Sequence, residues 1–440
     1  MINHRRTQLV GGAMLFALVA CSAAKKESPL TGAGGSSDAG GAGGTGPAGP
    51  GGQGGAPPGT GGFDLAGSGG AGGGGVPCVQ PGPDDDFDKD GFTITEGDCD
   101  DCDANISPNA IEAISAKGEP HDEDCDGQID ENDAVSCDDG LAVDDLDPIH
   151  GAAAAGICKL SKGEGDWGLV KAEWVLPDGS PLPVGQEEVF HLGHGVLTGF
   201  GPVMKLREGK RLLALSSGTA RQPNDPGYKD VKGFSKDITF NHPQGFPKES
   251  PLCGFAITGE PHDGAALKVE LRAPSNAHGI AFDFDFYSYE WPNFVCSMFN
   301  DFFVALLTPF PKGQADGNIS FDSMGNPVSV NNAFVEVCGC DGNPPLPCIA
   351  GGKTFTCKLG DSELTGTGFG ADSSFEAHGA TSWLTSQAPI EPSGEKDSVI
   401  TITWGVYDSG DGLLDSTTLV DRFRFIAKPG VSVNTVPAPD

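Results

Sequence analysis

The chain is short of base and short of catalytic signatures. Its 440 residues carry 27 Lys+Arg against 61 Asp+Glu, a formal net charge of −34. An acidic surface repels phosphate, so no nucleic-acid partner is expected. Apolar residues other than Gly make up 38%, while Gly alone fills 68 positions. Part of the chain therefore lacks a conventional core. The sequence contains no H-E-x-x-H, no G-x-S-x-G, no P-loop and no G-x-G-x-x-G after a strand. His191-Leu192-Gly193-His194 is H-x-x-H, which reads as a pair of loop histidines. A glycosidase-type carboxylate pair is not diagnosable where acids are this abundant. The expectation is a protein that is not an enzyme.

What is abundant is equally informative: 68 Gly, 34 Pro and 13 Cys. So many cysteines suit an oxidising compartment. Cys338, Cys340, Cys348 and Cys357 follow a C-x-C-x7-C-x8-C spacing, which matches no common zinc ligand set. They read as disulfides. Setting Cys21 aside leaves 13 − 1 = 12 Cys, enough for six bridges whose pairing stays open.

His4, Arg5 and Arg6 precede an apolar run from Leu9 to Ala20. That run is too short to cross a bilayer, which takes about 20 residues, but it fits a signal-peptide core. It ends in Leu18-Val19-Ala20-Cys21. This resembles the bacterial lipoprotein signal, which implies cleavage before Cys21 and lipidation of that residue. Several acyl chains on one residue anchor stably where one is marginal. Ser22 follows where an Asp would resemble an inner-membrane retention signal, so the expected location is the outer membrane or cell surface. Contact with the membrane is expected through the lipid alone, since no second long apolar run occurs.

Residues 31–76 hold 23 Gly among 46 positions, too little apolar surface to offset chain entropy. The expectation over 21–77 is a disordered tether spanning roughly 35–40 Å. Residues 84–147 then carry 24 Asp+Glu against Lys89 and Lys117. Asp86, Asp88 and Asp90 alternate and are followed by Gly91, the D-x-D-x-D-G start of a calcium loop. Carboxylates at that spacing converge on one hard cation, Gly permits the turn, and the Phe92 carbonyl can add a ligand. Gly97 stands at position 12 of the loop, where an EF-hand has Glu, so a helix-loop-helix EF-hand is not expected. Asp98, Asp100, Asp101 and Asp103 form a second cluster, and Asp124, Asp126 and Asp130 belong to a third.

These clusters, with Ile106-Ser107-Pro108-Asn109-Ala110-Ile111-Glu112 between them, resemble the metal-binding motif of MopE-type bacterial surface proteins and, more broadly, thrombospondin type 3 repeats. The resemblance covers about 84–133 and implies Ca²⁺, with copper known for the type member. Ala113 stands where a Cys usually follows, and Cys102 where Cys is unusual. Hard carboxylate oxygens favour Ca²⁺ over copper, and His121 is the single His in this stretch.

Beyond residue 148 the pattern changes to strands. Ile280, Phe282, Phe284 and Phe286 alternate with Ala281, Asp283, Asp285 and Tyr287, and Ile400, Ile402, Trp404 and Val406 alternate likewise. That is the period of a half-buried strand. Shorter candidates are 211–216, 267–272, 302–308, 333–338, 354–359 and 420–426. The predicted fold is mainly β, a jelly-roll-like β-sandwich over 148–430, preceded by the acidic module (78–147) and followed by a flexible tail (431–440). Phe282-Asp283-Phe284-Asp285-Phe286-Tyr287-Ser288-Tyr289-Glu290, Asn300-Asp301-Phe302-Phe303 and Asp408-Ser409-Gly410-Asp411-Gly412-Leu413-Leu414-Asp415-Ser416 resemble the choice-of-anchor L family of exported bacterial domains. Coverage is about 205–427, with Tyr289 where a second acid is common. The family implies varied surface anchors and no assigned reaction. Here the anchor would be the N-terminal lipid, with no sorting tail at the C-terminus. Glu290, Asn300, Asp301, Asp408, Asp411 and Asp415 offer oxygens for a second ion site, against a reading as turn-formers.

The functional expectation is a lipid-anchored, calcium-binding surface protein whose sandwich binds a glycan or other cell-surface ligand. A secreted polysaccharide hydrolase and a metal-sequestering lipoprotein are the alternatives.

Overall fold

Alternating side chains build the strands at the centre of this molecule. The computed structural model describes residues 82–113, 121–130, 136–331, 334–340, 347–371, 378–391 and 397–439. The expected signal peptide (1–20), Cys21 and the Gly-rich tether (21–77) lie outside the described residues. Everything described belongs to one compact unit, Gly74–Asp440.

Fourteen strands form among the described residues: β1 (Gly168–Val175), β2 (His194–Leu197), β3 (Leu212–Ser216), β4 (Pro261–Arg272), β5 (Gly279–Ser288), β6 (Phe302–Thr308), β7 (Val337–Cys338), β8 (Cys348–Ala350), β9 (Lys353–Phe355), β10 (Gly379–Ala380), β11 (Leu384–Pro389), β12 (Val399–Ser409), β13 (Ser416–Ile426) and β14 (Asn434–Pro437). One sheet runs β1-β4-β12-β6, a second β14-β11-β5-β13-β3-β2 with β10 joining β5 to β7, and β8 pairs with β9 in a separate hairpin. Every ladder is antiparallel, as in the central pairings of Trp404 with Leu267 and Phe284 with Val420. Phe282, Phe284 and Val420 of one sheet share a core with Leu267, Trp404 and Val406 of the other. Phe284 stacks on Phe303 at 4.6 Å, and Phe282 meets Trp404 edge-on at 5.5 Å. Two antiparallel sheets closing on one apolar layer make a β-sandwich.

Several expectations are corrected. β5 is buried on both faces, not half-buried. Its outer face is covered by a second apolar cluster that includes Leu197, Phe200, Phe369 and Tyr287. The candidates 333–338 and 354–359 reduce to Val337–Cys338 and Lys353–Phe355. The tail is not free, because β14 pairs with β11 from Asn434 to Pro437. Contacts cross the expected border at 147/148: Asp138 accepts from Lys210 N and Arg211 N, Trp174 Nε1 donates to Leu146 O at 2.8 Å, and Asp147 caps the helix α1 (Pro148–Ala154).

Among the described residues of 82–113 and 121–130 the regular structure is a 3-10 turn over Ile94–Glu96. Their backbone is tied by aspartate side chains and the Cys99–Cys125 disulfide. They dock on the sandwich through a polar seam. Trp167 N donates to Asn109 Oδ1 (2.8 Å), Ser275 N to Asn109 O (3.0 Å), and Asn276 Nδ2 to Ile111 O (2.8 Å). Among the described residues no helix is long and apolar enough to cross a membrane.

Candidate metal centres

The first loop is shaped by its own aspartates. Asp86 accepts from Lys89 N (2.8 Å) and Gly91 N (3.2 Å), Asp88 from Asp90 N (3.1 Å), and Asp90 from Phe92 N (2.8 Å). Gly91 takes φ of 96°, the left-handed region where a side chain is strained. Asp101 reaches back to accept from Phe87 N at 2.9 Å, and Asp98 accepts from Asp100 N at 2.9 Å. Each of Asp88, Asp90, Asp98 and Asp101 thus spends one oxygen on the backbone. The other Oδ2 of each is buried and unpartnered.

Carboxylate oxygens of Asp86, Asp88 and Asp90 lie within 4.8 Å of one another, and so do those of Asp88, Asp98 and Asp101. Burial first, and then the charge of neighbouring aspartates, pushes Asp88, Asp90 and Asp98 up to about 6. Asp98 stands one place beyond the EF-hand's twelfth position and supplies, with Asp101, the carboxylates that Gly97 cannot.

A second loop repeats the first. Asp122 accepts from Asp126 N and Gly127 N (both 3.0 Å), Asp124 from Asp126 N (3.1 Å), and Asp126 from Gln128 N (2.8 Å). Gly127 takes φ of 92°. The grouped carboxylates here are Glu112 with Asp122 and Asp124, and Glu112 with Glu123 and Asp130. The structure therefore brings Asp86, Asp88, Asp90, Asp98, Asp101, Asp124 and Asp130 into such groups. Asp100, Asp103 and Asp126 fall outside them, and Phe92 is buried with its N–H on Asp90. Sequence reasoning missed Glu112, Asp122 and Glu123. The signal for Asp122 was present, since 122–127 spells D-x-D-x-D-G a second time.

Soft donors are few. His121 is exposed. Cys338, Cys348 and Cys357 cluster, but Cys338 is bonded to Cys357 and Cys348 to Cys340, so no thiolate remains. Cys137–Cys158 and Cys253–Cys296 are also bridged, and Cys102 is disulfide-bonded. The histidine pair is not a loop pair. His194 opens β2, is fully buried and stacks on Trp174 at 3.7 Å, while His191 Nδ1 lies 2.6 Å from His194 Nε2. Burial holds both below the ordinary imidazole range.

The second set of predicted residues divides. Glu290, Asn300, Asp301, Asp408 and Asp415 are each at most 1% exposed. Asp411 is exposed and accepts from Leu413 N at 3.1 Å. It alone among the six is a plain turn-former. A different carboxyl pair, Asp285 and Glu363, lies deeper on β5 and beyond. It is enclosed by Tyr287 Oη and Ser382 Oγ on Glu363 and by Thr381 Oγ1 on Asp285. Burial, then the nearby Glu363 charge, raises Asp285 well above the carboxylate range.

A groove of about 850 Å³ runs where the acidic segment meets the sandwich, lined in part by Ile111, Glu112, Trp167, Arg211, Arg424 and Phe425. The family model described as the choice-of-anchor L domain matches residues 214–424. A choice-of-anchor L-like domain therefore occupies the chain from within β3 to within β13. No curated protein and no solved structure matches the chain.

Proposed function

We propose that this chain is an exported, lipid-anchored, calcium-binding protein of the outer membrane or cell surface, and that its sandwich binds a glycan or other surface ligand without catalysing a reaction. The observation that carries the calcium reading is the pairing of bonds in the first loop. Asp88, Asp90, Asp98 and Asp101 each fix the backbone with one oxygen and leave the other buried and unpartnered. An ionised oxygen buried without a partner is costly. Hard divalent cations at the Asp86-Asp88-Asp90 and Asp88-Asp98-Asp101 groups would offset that cost, and oxygen-only donors favour Ca²⁺. Five disulfides among the described residues, Cys99–Cys125, Cys137–Cys158, Cys253–Cys296, Cys338–Cys357 and Cys340–Cys348, support export. The lipid anchor rests on Leu18-Val19-Ala20-Cys21. The groove beside Trp167 and Phe425 is where a sugar ring would find aromatic surface.

The test is a thermal melt of the oxidised full-length chain in calcium, in chelator, and in magnesium. Calcium at about 100 times its Kd contributes about 2.7 kcal/mol, so the chelated protein melts lower and magnesium does not restore it. Identical melts in all three would remove the calcium half of the proposal. Release of reducing ends from any polysaccharide would remove the non-enzymatic half.

A further inference from the structure

Four strand ends meet at one end of the sandwich, and each delivers a buried acid. Asp301 immediately precedes β6, Asp408 is the last residue but one of β12, Glu290 follows β5, and Asp415 immediately precedes β13. The ladders fix this meeting. Phe302 pairs with Tyr407, and Ser288 pairs with Ser416. Ser409 N donates to Asp301 Oδ1 (3.2 Å), Gly412 N to Asp408 Oδ1 (3.1 Å), and Tyr289 N to Asp415 O (3.1 Å). The charge of Asp301 acts on Glu290, Asp408 and Asp415 alike.

Ser416 and Glu290 lie against Asp301, yet one oxygen of each acid has no hydrogen-bond partner. Glu290 Oε2, Asp301 Oδ2, Asp408 Oδ2 and Asp415 Oδ2 are buried and unpaired, and so are both polar atoms of the Asn300 amide. The same sandwich shows how it treats a buried acid that needs no ion. Asp283, equally buried, faces Arg207 (3.0 Å), Arg424 (3.4 Å) and Arg422 (3.7 Å). At the strand-end cluster the nearby buried cation is Lys236, and its Nζ is committed to Ser216 O at 2.8 Å. One lysine against four carboxylates leaves an excess of negative charge in a site sealed from water.

We propose that Glu290, Asp301, Asp408 and Asp415, with the Asn300 amide, form a cation site belonging to the sandwich itself, separate from the acidic loops, and that its ion is a hard divalent cation, Ca²⁺ by donor chemistry. All ligand atoms would be oxygen, Asn300 contributing its amide oxygen. The ion would tie β5, β6, β12 and β13 together at one end. The competing account is that the carboxyls are neutral and share protons.

Calcium bound per chain, measured on the full-length oxidised protein after dialysis, separates these accounts. Asp301→Asn/Asp408→Asn is expected to lose one ion relative to the parent and at least tenfold in affinity at this site. Asp88→Asn/Asp98→Asn is expected to lose ions of the loops and keep this one. An Asp301→Asn/Asp408→Asn protein that folds and binds as much calcium as the parent overturns the proposal, because amides replace neutral carboxyls at little cost. Should that variant fail to fold, hydrogen exchange on the unaltered chain decides. Calcium is expected to slow exchange at Tyr289, Ser409 and Gly412 at least tenfold relative to chelator. Protection confined to residues 86–101 overturns the proposal while leaving the loop reading intact. Protection at the strand ends without it does the reverse.

Discussion

In the acidic segment 82–130 the buried apolar side chains among the described residues are Phe92, Ile106 and Ala110, while Asp90, Asp98, Asp101, Ser107, Asn109 and Glu123 are buried beside them. The sandwich inverts that ratio, closing around a cluster that runs from Ala152 to Phe423. Among its described residues the first region buries too few apolar side chains to offset the entropy of ordering its chain. What holds it is a disulfide, a set of carboxylate-to-backbone bonds and a polar seam against the sandwich. The second stands on area removed from water. The two regions should therefore fail under different treatments, although they belong to one compact unit.

The largest effect expected is on the sandwich. Trp404 is fully buried between Phe282 and Phe423. Trp404→Ala should cost about 3–5 kcal/mol by loss of transfer energy and creation of a cavity. The loss, read from denaturant unfolding, should be equal in calcium and in chelator. A loss that grows in chelator, also in the Asp301→Asn/Asp408→Asn background, would break the comparison, because it would make the core depend on the loop ions.

A smaller effect is expected at the seam. Asn276 gives Nδ2 to Ile111 O (2.8 Å) and Asn105 O (3.3 Å), and takes Ile111 N on Oδ1 (3.0 Å). Asn276→Ala removes three part-buried hydrogen bonds, at about 1–3 kcal/mol in all. The cost should fall on docking, not on the core. Proteolysis at residues 105–111 should accelerate while the global melt moves little. An unchanged cleavage rate would mean that the seam contributes nothing and that ions alone hold the segment.

Parts of this arrangement are legible in the sequence and parts are not, for physical reasons. β5 and β12 announce themselves because large apolar residues alternate there. The D-x-D-x-D-G loop is legible because its spacing is dictated by a single cation. β11 and β14 are not, because hydroxyls take the buried places. Ser386 Oγ lies 2.7 Å from Thr435 Oγ1 and 2.8 Å from Ser320 Oγ, so Thr385-Ser386-Gln387 shows no apolar stripe. The roles of Glu112 and Glu123 depend on which backbone N–H each meets, a long-range fact with no local signature. The strand-end acids were legible as oxygens, but their burial follows from ladder register, which no residue type encodes.

The last prediction concerns pH, and in the calcium-loaded protein it is the smallest effect, because the bound ions compete with the protons. In the folded, ion-free chain Asp88, Asp90 and Asp98 are pushed from the ordinary 3.8 up to about 6. The folded state then holds more protons than the unfolded one between these values. Stability must fall as pH rises wherever that is true. In chelator the melting temperature should therefore be highest near pH 4 and decline through about pH 6. Asp301 and Asp421, pushed up to about 7, extend the decline above that, and they do so from within the sandwich. Calcium competes with the protons for the loop oxygens, so in calcium the decline through pH 6 should flatten. Melts at half-unit steps from pH 4 to 8, with and without chelator, separate the two regions. A calcium-sensitive step centred near 6 belongs to the loops, and one near 7 to the strand-end acids. A chelated protein whose stability rises from pH 4 to 7 would show that these carboxylates are paired with something other than an ion, and the distinction between a region held by cations and a region held by its core would no longer stand.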